Sequence, residues 1–281
     1  MLTNLALAAT VAFAGPSASA SAVSPVVVSP LLGAPTLGAP TLGVGGKAEK
    51  DASDAVSFTT EDKQLIKGSF YAPKKSRKGQ AAPSVLLLHD AGKTREELSD
   101  LAAYLHKRGF AVLTMDMRGH GESQTDKVNF EKADGKLKES LWALSSRDVD
   151  AAAEFLSDQK NVHSSNLSIV AFGAGSSLAV RRASVDDNVR AVVLVNPAPN
   201  AFGYNLVNGV SELGGLPTLL MSPKDHREES RRLQEAAHKD NNGLEYVDIT
   251  PLKSEADSIQ DDKRLKSGMG SWLREQAMPK K

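Results

Sequence analysis

The chain has 281 residues, with 34 basic and 34 acidic side chains and a formal net charge of +0. This balance gives no electrostatic basis for binding nucleic acid or an anionic membrane surface, so neither is predicted as a partner. The hydrophobic fraction of 41% suffices for a sizeable core, and the absence of cysteine excludes disulfides and thiolate chemistry. No Asp, Glu, Lys or Arg precedes Lys47, which separates a leader from a folded domain.

The uncharged N-terminal part predicts an export signal followed by a linker. Residues 1–22 contain an apolar run and then small residues that offer cleavage after Ala20 or Ala22. We expect a signal peptide here and a secreted or periplasmic (envelope) protein, with a plastid or other organellar leader as the alternative. The apolar run is shorter than the roughly 20 residues of a membrane span, so no transmembrane segment is expected after signal removal. Residues 23–54, rich in Pro, Gly and Ser, predict a disordered linker.

Residues 55–277 alternate between strand and helix patterns and predict one α/β domain. Two alternating segments at the start form a hairpin, and continuous apolar runs then mark strands that are covered on both faces. The runs are Ser84–His89, Phe110–Met115, Leu167–Phe172, Val189–Val195, Pro217–Met221 and Leu244–Ile249. Helical stripes separate most of these runs. The alternation predicts a doubly wound, mostly parallel sheet with an N-terminal hairpin and helices on both faces.

The first helix carries the clearest local signals. Thr94 and Glu97 have the spacing of a capping box, which predicts a helix that begins at Thr94. Leu98, Leu101 and Leu105 follow on one face and are expected to pack on the sheet.

Several motifs together resemble the α/β-hydrolase superfamily, in its single-domain esterase and dienelactone-hydrolase-like branch. They are His89-Asp-Ala-Gly92, Arg118-Gly-His-Gly-Glu-Ser123, Asp148-Val-Asp-Ala-Ala and Pro217-Thr-Leu-Leu-Met-Ser-Pro-Lys-Asp225. The resemblance runs from about Val56 to the terminal helix. It implies a serine nucleophile at a strand-to-helix elbow, followed along the chain by an acid and then a histidine.

The implied triad is incomplete in this sequence. The elbow Ala171-Phe-Gly-Ala-Gly175 has Gly173 where the family has its serine. Asp225 matches the acid, although it also suits the N-cap of the following helix. The histidine position falls near Ser254, and no histidine follows His238. Serine and histidine depend on each other for proton transfer, so the resemblance implies that acyl-enzyme chemistry is lost.

The implied oxyanion hole is altered as well. Its amide donors match Ala91 and Ala174, and Asp90 stands where the family commonly has glycine. A carboxylate here opposes a developing negative charge, unless Asp90 points away and serves only as a loop hydrogen-bonder. Ser176 and Ser177 match positions inside the helix and do not replace the nucleophile.

Three histidines complete the predicted binding cleft. His89 and His120 match family positions that shape the loops above the sheet, and His226 adjoins Asp225. No H-E-x-x-H pattern or His pair at metal-ligand spacing occurs, so neither a metal nor a cofactor is predicted.

Three functions remain open at this stage. The first is an exported pseudohydrolase that binds an unknown small molecule or protein in the ancestral cleft. The second is a serine-independent esterase or hydrolase that uses Asp225 with His226 or His120 to activate water. The third is a purely structural, envelope-associated protein.

Overall fold

The computed structural model describes residues 53–74, 79–223, 226–239, 244–249 and 263–277. Its main sheet has eight strands in the order β1-β2-β4-β3-β5-β6-β9-β10. These strands are β1 Asp54–Thr59, β2 Leu65–Tyr71, β3 Ala82–Leu88, β4 Ala111–Asp116, β5 Val162–Phe172, β6 Val189–Val195, β9 Thr218–Pro223 and β10 Leu244–Ile249. A separate two-stranded sheet pairs β7 Asn200–Ala201 with β8 Tyr204–Asn205.

The strand directions confirm the predicted topology. Strand β2 runs antiparallel to both β1 and β4, and every other pairing in the main sheet is parallel. The parallel part therefore needs crossover connections, and helices of the described chain provide them. The N-terminal hairpin lies at one edge of the sheet, away from β5.

Six α-helices accompany the sheet in the described part of the chain. They are α1 Ser99–Lys107, α2 Gly135–Ser157, α3 Gly175–Ala183, α4 Leu206–Ser211, α5 Arg227–Lys239 and α6 Lys263–Ala277. Helices α2 to α5 contribute buried residues to one core cluster, and α1 and α6 contribute to the other. The two clusters place helices on both faces, as predicted.

Strand β5 shows why the central strands are apolar throughout. Ile169 and Ala171 belong to the core on one face, whereas Val170 and Phe172 belong to the core on the other. Successive side chains of a strand point to opposite faces, so a strand covered on both sides must be apolar at every position. This requirement produces the continuous runs that made the strands recognisable in the sequence.

The predicted capping box at Thr94 is wrong. Thr94 makes no side-chain capping bond, and residues Arg95–Leu98 form a 3-10 turn before α1 begins at Ser99. The reason lies in β4, because the Asp116 carboxylate accepts the Arg95 backbone amide at 2.8 Å. A distant side chain thus satisfies an amide that a local cap would otherwise satisfy. The predicted apolar face of α1 is buried as expected.

Several predictions concern residues outside the described ranges. They are the leader, most of the linker, Asp225 and Ser254. In the part of the chain that the structure describes, no helix is both long enough and apolar enough to cross a membrane.

Candidate functional site

The candidate site lies at the carboxyl ends of β3, β5 and β6, where open parallel sheets commonly bind ligands. Gly173 follows β5 directly. Its amide donates to the Val195 carbonyl at 3.0 Å, and its carbonyl accepts the Ala198 amide at 3.1 Å. These bonds fix the turn against the end of β6 and the loop that follows it.

The turn has the geometry of a nucleophile elbow. Gly173 has a φ of 51°, in the left-handed region, and α3 begins two residues later at Gly175. A Cβ at Gly175 would lie 2.6 Å from the His89 carbonyl oxygen, so this helix start approaches the loop after β3 as closely as only glycine permits. The elbow backbone is therefore intact, although no side chain stands at its tip.

Asp90 occupies the space above this turn. An ideal Cβ on Gly173 would lie 2.1 Å from Asp90 Cγ and 2.2 and 2.3 Å from its two carboxylate oxygens. Asp90 Oδ1 also accepts the backbone amides of Ala91 and Ala174, each at 2.7 Å. These are the amides that the sequence matched to the oxyanion hole. One carboxylate thus fills both the nucleophile volume and the space between the two donors.

His89 supports the loop as a neutral imidazole. Its Nδ1 lies 2.7 Å from the Asp90 carbonyl and donates to it, whereas Nε2 accepts the Met117 amide at 3.0 Å. An imidazole with one donor and one acceptor nitrogen is uncharged. Burial lowers the pKa of His89 to about 3, which agrees with this hydrogen bonding.

His120 has the same arrangement. Its Nδ1 donates to the Arg118 carbonyl at 3.1 Å, and its Nε2 accepts the Gly92 amide at 3.1 Å. Burial is the main cause that lowers the pKa of His120. In both histidines the basic nitrogen is already bonded to a backbone amide, so it is not available to take a proton from water or from a hydroxyl.

His226 lies near the same edge of the sheet but bonds elsewhere. Its Nδ1 is 2.9 Å from Oδ1 of Asn196, the residue that directly follows β6. The Asn196 backbone amide in turn donates to the Met221 carbonyl at 2.7 Å. The sequence prediction did not include Asn196, although a polar residue directly after a buried strand was a signal for it.

Of the two serines in α3, Ser177 has a structural role, and the structure reveals no role for Ser176. Ser177 Oγ donates to the Ala174 carbonyl at 2.8 Å and accepts Trp142 Nε1 at 3.1 Å. Ser176 is fully buried, and its hydroxyl has no hydrogen-bond partner among the described residues. Burial inside the helix keeps both hydroxyls away from substrate, as their positions in the sequence predicted.

Two arginine clusters hold the loops around the site. The Arg95 guanidinium contacts the carboxylates of Asp116 and Glu122. The Arg118 guanidinium lies between Asp148, at 2.7 Å, and Asp62, at 2.7 Å. All four ion pairs join residues that are far apart in sequence, so the sequence pattern did not identify them.

Aromatic rings fill the region next to His120. The His120 and Phe130 rings stack with centroids 4.4 Å apart. Phe202, from the β7-β8 hairpin, contacts Phe130 at 5.4 Å and Trp142 at 5.1 Å. The hairpin is thereby packed against the histidine loop on an apolar surface.

The described residues form no group of three or more His, Cys, Asp or Glu side chains that could hold a metal ion. Four surface cavities of about 160 to 500 Å³ are lined by described residues, and none of these four includes Gly173 or Asp90. At the elbow the backbone amides and the neutral imidazoles already have hydrogen-bond partners, and the carboxylate of Asp90 is the charged group.

Comparisons with known proteins agree with the fold. Residues 79–241, more than half of the chain, match the model of a family described as serine aminopeptidase, S33. A comparison with curated proteins finds no match.

Solved structures give the same result at low sequence identity. Esterase Pf2001 of Pyrococcus furiosus superposes with a TM-score of 0.66 at 19% identity, covering 85% of this chain and 97% of that one. The α/β-hydrolase GrgF of a Penicillium species gives 0.62 at 14%, covering 80% and 99%. A Klebsiella pneumoniae protein described as a dienelactone hydrolase gives 0.61 at 17%, covering 79% and 98%. At these identities the likeness establishes the fold, and it confirms the predicted α/β-hydrolase architecture.

Proposed function

We propose that this chain, which belongs to the serine aminopeptidase (S33) family of α/β-hydrolases, is a non-catalytic pseudohydrolase that binds a ligand or partner through its ancestral cleft. One observation carries the proposal. The Asp90 carboxylate lies over Gly173 and accepts the amides of Ala91 and Ala174. The nucleophile of acyl transfer is thus absent, and the two amides matched to the oxyanion hole are already occupied.

The occupied oxyanion hole argues against acyl transfer on electrostatic grounds. In a working site, amides aimed at the developing oxyanion contribute the largest part of transition-state stabilisation. Here Asp90 Oδ1 is 2.7 Å from both amide nitrogens, so a substrate oxygen would have to displace it. A displaced carboxylate close by would still repel the negative charge that forms.

The histidines support the same proposal. A serine or water nucleophile needs a base with a free lone pair. The Nε2 atoms of His89 and His120 both accept backbone amides, so neither ring has a free lone pair to act as a base. Burial keeps both rings neutral. No histidine follows His238 in the sequence to serve as the family's base.

The proposed ligand is cationic or rich in hydroxyl groups, because the carboxylate of Asp90 is the charged group at the elbow. A thermal-shift series with alkylamines and polyols tests this. We expect amines or polyols to raise the melting temperature of the wild type and to have a smaller effect on Asp90→Asn. The absence of any preference over neutral ligands without hydroxyls would contradict the proposed ligand class.

The enzymatic alternative rests on His226. The Nδ1 of His226 bonds to Asn196. In this alternative, His226 and Asp225 activate water together, without a serine. That alternative predicts turnover of nitrophenyl esters that falls when Asp225 is changed to Ala. Our proposal predicts no turnover above buffer in either protein, and the same assay on the unrelated variant Asp187→Ala controls for contaminating esterases.

A structural role is the other alternative, and the aromatic packing favours it. The rings of Phe130, Trp142 and Phe202 occupy the volume beside His120. A cleft that is filled throughout would bind nothing. Saturable binding of any amine or polyol that Asp90→Asn weakens would rule this alternative out.

Export is part of the proposal. It is supported by the apolar, uncharged segment before Lys47 and by the small residues around Ala20 and Ala22. N-terminal sequencing of the protein from its native source tests it. A mature chain that begins at Ser21 or Val23 is expected, and a retained Met1 would contradict cleavage.

A further inference from the structure

A second cavity lies outside the ancestral cleft, between α2, α3 and the segment that contains β8 and α4. Its volume is about 470 Å³, which is enough for a ligand of the size of an amino acid. Leu178 and Val185 give it apolar surface, and Arg181, Glu212 and Tyr204 give it polar surface. Val185 is 78% exposed, so an apolar side chain of this wall is available to a ligand.

The charges of this cavity differ in whether they are already paired. Arg182 and Asp150, which also line it, bond to each other with 2.8 Å between Nη1 and Oδ1. Arg181 and Glu212, by contrast, form no ion pair or hydrogen bond through their side chains within the described ranges. The cavity therefore presents one cation and one anion whose partners a ligand can supply.

Tyr204 lies within electrostatic reach of both charges. Its ring packs over α4, where a Cβ on Gly209 would be 2.1 Å from the Tyr204 hydroxyl oxygen. Burial raises the pKa of the Tyr204 hydroxyl, Glu212 raises it further, and Arg181 lowers it. The phenol therefore stays neutral and gives the cavity a hydroxyl that can donate or accept a hydrogen bond.

We propose that this cavity binds a small zwitterion with an apolar side chain, such as a free aliphatic amino acid. The ligand carboxylate pairs with the Arg181 guanidinium, whose fork suits a carboxylate. Its ammonium group pairs with Glu212, and its side chain packs on Leu178 and Val185. Neither pairing is strong at an exposed site, so recognition requires both charges on one molecule.

The test is a titration of the full chain with L-leucine, followed by the amide chemical shifts of the cavity residues. We expect saturable shifts with a Kd in the millimolar range, roughly 4 kcal/mol of binding free energy. Leucinamide lacks the carboxylate and N-acetyl-leucine lacks the ammonium group, so each should bind about tenfold more weakly. The absence of saturation with leucine would overturn the proposal, as would binding of the two capped forms that equals the binding of leucine.

Variants localise the binding. Arg181→Gln and Glu212→Gln should each weaken leucine binding about tenfold. Arg190→Gln is the matched control, because Arg190 is exposed, donates to the Ser165 carbonyl and does not line the cavity, so leucine binding should be unchanged. Leucine binding that neither cavity variant weakens would overturn the assignment. The result is independent of the proposed function, because none of these residues lies at the elbow.

Discussion

The carboxylate of Asp90 and a side chain at position 173 exclude each other, because a Cβ on Gly173 would lie 2.1 Å from Asp90 Cγ. The same carboxylate accepts the amides of Ala91 and Ala174 at 2.7 Å. Glycine at the elbow and aspartate in the neighbouring loop therefore form a matched pair. The aspartate satisfies two amides that would otherwise face an empty site.

Restoring a serine at the elbow should destabilise the protein. We expect Gly173→Ser to lower the free energy of unfolding by about 2 to 4 kcal/mol, from forced overpacking and from left-handed backbone. Urea denaturation measures this. Gly203→Ser is the matched control, because Gly203 also has a positive φ, of 81°, but no atom lies within 4 Å of a Cβ built on it. This control therefore measures the cost of the left-handed backbone alone.

The double variant separates the two causes. The Asp90→Gly single variant is the reference, because it has already lost the bonds to the Ala91 and Ala174 amides. In that background the steric conflict is gone, so the further loss caused by Gly173→Ser should shrink to about 1 kcal/mol, near that of Gly203→Ser. An equal loss with and without Asp90→Gly would show that the carboxylate does not occupy the space at residue 173.

Removing the carboxylate should create an anion site. In Asp90→Ala the amides of Ala91 and Ala174 no longer have an acceptor, and paired backbone amides at a helix start bind anions. We expect acetate to shift both amide resonances saturably in the variant and not in the wild type. Asp187→Ala, which removes an exposed carboxylate elsewhere, should behave like the wild type. Saturable shifts of the same two amides in the wild type would contradict the account.

His89 should make stability fall at mildly acidic pH. Burial lowers its pKa to about 3, whereas an exposed imidazole has a pKa of about 6.5. Between these values the unfolded chain binds the extra proton, so this contribution to stability is complete above the unfolded pKa and is lost as the pH falls. We expect the free energy of unfolding to fall by about 2 kcal/mol from this cause between about pH 7 and about pH 5.

Comparison with His89→Gln isolates this effect. Burial raises the pKa of Asp148 to about 6, which contributes with the opposite sign but is present in both proteins. Between the two pH values, the free energy of unfolding of the variant should therefore fall by about 2 kcal/mol less than that of the wild type. If the variant does not fold, the ring protons of His89 in the wild type should show no titration down to about pH 4. A His89 midpoint near 6.5 would contradict the buried neutral ring.

The Arg118 cluster should be important for stability. Asp148 is fully buried and accepts both the backbone amide and the guanidinium of Arg118. Asp148→Ala should lower the free energy of unfolding by about 3 to 5 kcal/mol, because it leaves the buried Arg118 guanidinium with Asp62 as its remaining carboxylate partner. Arg147→Met, which removes a half-exposed cation 3.3 Å from Asp62, is the control and should cost about 1 kcal/mol or less. Equal effects would show that the buried pair has no special role.

The sequence predicted those features that depend on local patterns. Continuous apolar runs identified strands such as β5 because both faces of that strand are covered. The elbow at Gly173 was recognisable because a tight turn between a strand and a helix needs glycine. The family resemblance matched Asp90 and the Ala174 amide to one site, but it left open whether the carboxylate faces that amide or points away.

Contacts between distant segments were not predictable in the same way. The bond from the Ala174 amide to Asp90 spans 84 residues, and its existence depends on which way one side chain turns. Asp116 replaces the predicted cap at Thr94 for the same reason. The hydrogen bonds of both nitrogens of His89 and His120 could not be predicted from the sequence, because their partners are backbone atoms.

The most direct test of the central claim is the intact mass of the wild-type protein after treatment with excess fluorophosphonate, which forms a covalent ester only with an activated serine. An active serine hydrolase in the same reaction serves as the positive control. We predict an unmodified mass, because Gly173 offers no nucleophile and Asp90 occupies the oxyanion hole. A stoichiometric adduct on any serine of this chain would contradict the account.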